Sequence, residues 1–284
     1  MTPWDDRTCE LGEGPFWHPI RKQLFWFDIL SRRMLSLSNG YSEEWQLPEM
    51  ASAAGWVDED TLLMATETRL QTFEVDTGRA RDVVGLEAGG AHTRSNDGRA
   101  DPWGGFWIGT MGKEAQEGAG AIYRYHGGAL QRIVGGITIP NSICFDRERA
   151  RAYWCDTAER RIVMQAVDGQ GWPTTDPETF LDLRPEGLNP DGSVVDANGW
   201  LWNAQWGASR VAAYDAEGRF QRAVPFPAAH TSCPAFGGDD LTTLFCTTAR
   251  EHMSEADLTE APHSGCTYAA PGIAKGLPEP QVIL

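Results

Sequence analysis

One seven-residue segment recurs six times along this chain, at intervals of 40, 43, 45, 50 and 42 residues, and this periodicity restricts the fold more than any other feature. The copies read EGPFWHP (residues 13–19), AAGWVDE (53–59), NDGRADP (96–102), NSICFDR (141–147), DGSVVDA (191–197) and CPAFGGD (233–239). After each copy come a turn, a run rich in aromatic and β-branched residues, another turn and a second such run. LFWFDI (24–29), FWIGT (106–110), AYWCD (152–156) and LWNAQW (201–206) belong to the first runs, AIYRY (121–125) and IVMQAV (162–167) to the second. Such runs bounded by Gly, Asp, Asn and Pro read as strands. A period of 40 to 50 residues with about four strands per unit is that of a β-propeller blade. The expectation is an all-β, six-bladed β-propeller forming one domain over residues 1–284. Residues 4–9 are expected to supply the outer strand of the last blade and so close the ring. An open sheet or sandwich of the same strands is the alternative. One short helix is expected near residues 254–260, capped by Ser254 with Asp257 three residues on.

In a closed circular array, equivalent positions converge on the central axis. The leading residues of the six copies are Glu13, Ala53, Asn96, Asn141, Asp191 and Cys233. Two carboxylates and two amides aimed into one space suit a hard cation, which prefers oxygen ligands. Glu13, Asn141 and Asp191 would supply three ligands of net charge −2 and leave positions open for water or substrate. Asn and Asp at strand entries also cap turns through their own backbone, and that reading competes at each single position. Arg94, two residues before Asn96, could hold a substrate oxygen with its planar fork. Glu114, in the loop GTMGKE, could reach over the pocket or be an ordinary loop acid. His18 fills a turn slot where other copies carry Asp and is expected to be structural. Trp17, Trp26, Trp107, Trp154 and Trp202 fall at repeated positions and are expected to pack between blades, whereas Trp206 could line a pocket. Cys233 could line the cavity, but no neighbouring cation or helix terminus is expected to activate its thiol.

Other functions are excluded or disfavoured. A net charge of −16 with no basic cluster argues against nucleic acid. The first ten residues carry no apolar run of a signal peptide, and no stretch approaches the roughly 20 apolar residues of a membrane helix. Six scattered cysteines without a C-x-x-C pair read as free thiols, so a cytoplasmic location is expected. Nucleophile-elbow, zinc-helix, P-loop and dinucleotide motifs are all missing.

At LGEGPFW, TRSNDGRADPWGGFWIGTM, IPNSICFD, NPDGSVVDANGWLWNAQWG and CPAFGGDDLTTLFCTTARE the chain resembles the regucalcin–gluconolactonase (senescence marker protein) family. These segments span most of residues 11–251 in order. The resemblance implies a six-bladed propeller with one divalent metal ion in its channel, held by Glu13, Asn141 and Asp191. It also implies substrate contacts from Arg94, Asn96 and Glu114. Two departures stand out. Ser142 follows Asn141 where the family often has Gly, and CTYAA (266–270) replaces a Gly-Gly-hydrophobic pattern in the last blade. The activity implied is hydrolysis of an aldono-1,4- or 1,5-lactone, with the ion polarising the carbonyl and Asp191 accepting a proton from water, or with the ion itself activating the water. Calcium, zinc, manganese, iron(II) or magnesium would suit the ligands. A small-molecule sugar lactone is the expected partner, without nucleic acid or membrane, and the chain is expected to be a monomer or weak homo-oligomer. Organophosphate or aryl-ester hydrolysis on the same ion, a non-catalytic metal-binding propeller and a protein-docking propeller are the alternatives.

Overall fold

A computed structural model describes residues 1–38, 40–89 and 92–284. The aromatic and β-branched runs form strands, and the Gly- and Asp-rich segments between them form the turns. Sequence neighbours pair antiparallel into five four-stranded sheets and one three-stranded sheet, each in simple meander order. These are the six expected blades. Their innermost strands are Gly12–His18, Ala51–Trp56, Thr93–Ala100, Pro140–Asp146, Asn189–Val195 and Thr231–Gly237. Each packs against the next, and the sixth packs against the first, so the ring is closed around an axial channel. Burial falls outward along each blade. In the first, Gly12–His18 is buried throughout whereas the outermost strand, Tyr41–Gln46, is almost wholly exposed. The gradient follows from position: an inner strand has a blade on either side and the channel at its edge, whereas the outermost strands face solvent.

The core lies between blades. Trp17, Trp26, Trp107, Trp154 and Trp202 are all buried there, as expected. Trp206 is half-buried and stacks on His230, with ring centroids 4.3 Å apart. The recurrent turn slot also has a clear physical role. Asp101 Oδ1 accepts the Trp103 and Gly105 amides, Asp196 Oδ1 those of Asn198 and Trp200, and Asp58 Oδ1 those of Asp60 and Thr61. His18 does the same work in the first blade. Its Nδ1 accepts the Arg21 amide at 3.2 Å, while Nε2 lies 3.0 Å from Asp58 O in the next blade.

The last blade is closed more sparingly than expected. Residues 4–9 run beside it, but they make one isolated bridge, Asp5 to Thr267, together with bonds from Trp4 N–H to Thr267 O and from Cys9 N–H to Gly265 O. The helix Glu255–Glu260 is present, and Ser254 and Asp257 complete a reciprocal capping box. All six cysteines are buried free thiols. Among the described residues no helix is long and apolar enough to cross a membrane.

Candidate metal centre

In all six innermost strands the pairing register slips within the segment around the leading residue. A bulge bends the strand and re-aims its side chains, so a slip repeated around the ring turns the leaders toward the channel. Two positions show what this demands of the backbone. Gly14 sits at φ 55°, and a Cβ there would stand 2.1 Å from Ser52 O, so both the conformation and the close approach of the second blade require glycine. Ser142, the corresponding residue of the fourth blade, takes φ 59° despite its side chain. Its hydroxyl donates to Asp191 O at 2.5 Å and accepts from Ser193 Oγ and Asn203 Nδ2. The departure from the family's glycine is therefore occupied by a polar clamp that ties Asn141's strand to Asp191's.

A relay of hydrogen bonds runs around the rim. Arg94 Nη1 donates to Asn96 Oδ1 at 2.7 Å, and Asn96 Nδ2 donates to Asn141 Oδ1 at 3.0 Å. Asn141 Nδ2 donates to Thr157 Oγ1 at 2.9 Å, and Thr157 donates in turn to Pro190 O at 2.7 Å. This relay settles which way the Asn141 amide faces, because its nitrogen is engaged by Thr157. Glu13 Oε2 accepts the Gly14 amide at 2.9 Å. Arg94, Asn96 and Asn141 are joined by the relay, and Glu13 and Asp191 are buried with the charge of Glu13 acting on Asp191, so five of the six expected site residues share one region. Glu114 is the exception. It lies exposed on the turn between Phe106–Gly112 and Gly120–His126, with its amide bonded to Gln116 Oε1, outside the relay.

The electrostatics are those of a site short of positive charge. Burial, then Asp97, push the Glu13 carboxyl up to about 8, with the Gly14 amide and Arg94 opposing. Burial, then Glu13 and Asp97, hold Asp191 well above the carboxylate range. Asp97 itself is raised to about 6 by burial, although the Ile143 amide and Arg99 oppose this. Burial lowers the Arg94 guanidinium despite Glu251, Glu13 and Asp191 around it. Cys233 is buried and its thiol is held far above its usual range, as a non-reactive thiol should be.

These residues fit a hard divalent cation. The donors are oxygens from two carboxylates and an amide, and the carboxylates repel one another in a buried space where a cation would offset them. Among the described residues no cluster of three His, Cys, Asp or Glu side chains is placed to share an ion, so the donor set depends on the Asn141 amide. Three contributors escaped sequence reasoning. Asp97 reads as half of an N-D-G turn, yet its carboxylate accepts the Ile143 amide at 2.6 Å and fixes the strand that carries Asn141. Thr157 lies in a turn outside every repeat copy. Glu251 lies beyond the last copy, and the charges of Glu13, Arg94 and Asp191 all feel it. The one available signal was Asp97 itself, an acid inside a strand buried on both sides.

Several known proteins are similar to this chain over nearly its whole length. A calcium-binding protein, regucalcin, from Agrobacterium tumefaciens superposes with a TM-score of 0.97 at 37% identity, covering 99% of this chain and 97% of that one. A 6-deoxy-6-sulfogluconolactonase of Pseudomonas putida is 31% identical over 95% of this chain and 94% of its own length. An L-arabinolactonase of Azospirillum brasilense is 33% identical over 93% and 89% respectively. The family model described as the SMP-30/Gluconolactonase/LRE-like region matches residues 11–250. With most of its length matched by that model, and with the ring of inner strands that the resemblance implied, the chain belongs to the SMP-30/gluconolactonase/LRE-like family.

Proposed function

We propose that this protein hydrolyses a sugar lactone, an aldono-1,4- or 1,5-lactone, to the aldonic acid at the Arg94 mouth of its channel. The observation that carries the reading is the pair of buried carboxylates, Glu13 and Asp191, both raised by burial and by Asp97, and Asp191 also by Glu13, beside an amide whose orientation the rim relay determines. Relatives named for arabinolactone and sulfogluconolactone support the substrate class, and the calcium-binding regucalcin supports a divalent ion.

Glu13, Asn141 and Asp191 would hold the ion. When bound there it supplies Lewis-acid polarisation of the lactone carbonyl and charge to offset the carboxylates. Asp191 is the proton acceptor in this reading. It takes a proton from the attacking water as the C–O bond to the carbonyl carbon forms, and that proton is then available to the ring oxygen as the ester bond breaks. Arg94 and Asn96 orient the sugar hydroxyls. Their mutual bond at 2.7 Å leaves other guanidinium nitrogens and the open rim to meet substrate. Glu114, exposed on its turn and outside the relay, is not needed for this step.

The test is acid release from a panel of aldonolactones, with metal-stripped protein and with calcium, manganese, zinc, magnesium or iron(II) restored. Ion-dependent release above the spontaneous rate, with strong preference for one epimer, is expected. Turnover of aryl esters or phosphotriesters without epimer preference would favour the promiscuous hydrolase instead. Tight ion binding with every lactone left intact would favour a non-catalytic binding module.

A further inference from the structure

The lower end of the channel, opposite the Arg94 mouth, carries a charged arrangement that the reaction does not use. Residues 271–284 leave the sixth blade and cross the underside of the ring. Ile273 N–H and Gly276 N–H bond to Thr242 O and Leu241 O of the sixth blade, and the Ala197 amide of the fifth bonds to Lys275 O. The segment then reaches the second and third blades. Trp56 Nε1 donates to Glu279 O at 2.8 Å, Val282 N–H to Trp56 O at 2.9 Å and Ile283 N–H to Gly104 O at 2.9 Å. It is a strap across the diameter of the ring.

At its middle the strap places Glu279 against Arg99, with Nη1 to Oε2 at 3.1 Å and side chains only 7% and 9% exposed. Arg99 rises from the innermost strand of the third blade, the strand that also carries Arg94, Asn96 and Asp97. Its Nη2 reaches Pro234 O on the innermost strand of the sixth blade, so the guanidinium bridges the channel. Below the pair lies a cavity of about 970 Å³, lined by Arg99, Cys144, Trp103, Leu277 and Glu279 among others. Cys144 is 1% exposed. Above the pair, Asp97 faces Arg99 and, beyond it, Glu13 and Asp191.

We infer that Glu279 is a positioning residue for the cation site: it holds Arg99 at the channel floor, closing the lower end and keeping that positive charge from the carboxylates above. A buried guanidinium without its counter-charge would turn toward Asp97, the other carboxylate whose charge acts on it, and subtract from the negative field that retains a divalent ion. The inference rests on the cation-site reading given above, and its test separates the two.

Calcium and manganese affinities of the full-length chain are measured by calorimetry for wild type, Glu279→Gln and the paired variant Arg99→Met with Glu279→Leu. Small-molecule alkylation of each cysteine is mapped by mass spectrometry alongside. Glu279→Gln is expected to weaken ion binding about tenfold. It should also expose Cys144 to iodoacetamide while Cys9, Cys155 and Cys246 stay protected, which excludes general unfolding. The paired variant changes no net charge at the floor and fills it with apolar groups, so it should restore affinity to within about twofold of wild type. Wild-type affinity and an unreactive Cys144 in Glu279→Gln would overturn the inference, as would a paired variant as weak as the single one. A wild-type chain that binds neither ion would sink the cation-site reading instead, and the Cys144 comparison alone would then decide whether Glu279 closes the floor.

Discussion

Replacing Glu13 with glutamine should make the ion-free protein more stable while destroying its use for the ion. In the unfolded chain Glu13 loses its proton near the ordinary value of 4.5, whereas in the ion-free fold it does so near about 8. Between those values the native state holds a proton that the unfolded chain has released, so native stability falls as pH rises through that window. The cost is about 3 kcal/mol at pH 7 and about 1 kcal/mol at pH 5. Glutamine has the same shape, keeps an oxygen for the Gly14 amide and carries no charge to bury. Spread over a chain of 284 residues, 3 kcal/mol corresponds to a rise in Tm of about 5 °C. Thermal melts of chelator-stripped wild type and Glu13→Gln across pH 5 to 8 measure this directly. The gap should widen with pH, and calcium or manganese should raise only the wild-type Tm. A gap independent of pH, or a variant less stable than wild type at pH 7, would refute the claim that burial and repulsion set the state of this carboxyl.

Three further outcomes follow from the same geometry. Asp191→Asn should lower lactone turnover about a thousandfold, as expected for loss of a proton acceptor, with the stripped protein's Tm unchanged or higher. Ser142→Ala and Ser142→Gly both lose the clamp to Asp191, Ser193 and Asn203, but only glycine relieves the left-handed backbone, so urea unfolding should find alanine less stable than glycine by about 1 kcal/mol. An alanine variant as stable as the glycine one would mean that φ 59° carries no strain here. Arg94→Met should raise KM for the lactone about tenfold while ion affinity stays the same or tightens, since Arg94 reaches the rim through Asn96 rather than binding the ion and its charge opposes a cation. Steady-state kinetics and calorimetry check the two halves separately.

Much of this was readable in one dimension. A repeat of 40 to 50 residues cannot bury its strands alone, so six copies had to stack, and closure of the stack sends equivalent positions to one axis. Glu13, Asn96, Asn141 and Asp191 were found that way, and His18 was recognised as structural because it stood where other copies carry turn-forming Asp. The strand cores were set by local composition, and the helix at 255–260 by its capping residues. Glu114 shows the limit of resemblance: its place in the loop after GTM was correct, but a loop's position in sequence does not decide where its side chain points.

What escaped were contacts made by chain segments far apart. Asp97 looks like a turn residue until the bulge beside Asn96 brings it under the Ile143 amide of the next blade. Ser142 looks like a poor substitute for glycine until three partners from the fifth blade surround its hydroxyl. Glu279 lies 180 residues from Arg99 in the chain, outside every repeat, and meets it only because the strap crosses the closed ring. The periodic pattern alone determined the number of blades and the residues that face the axis, because both follow from local strand formation and symmetry. The protonation states and the charge balance along the channel were decided by the tertiary structure, because burial and Coulomb interaction depend on distances that exist only once the ring has closed.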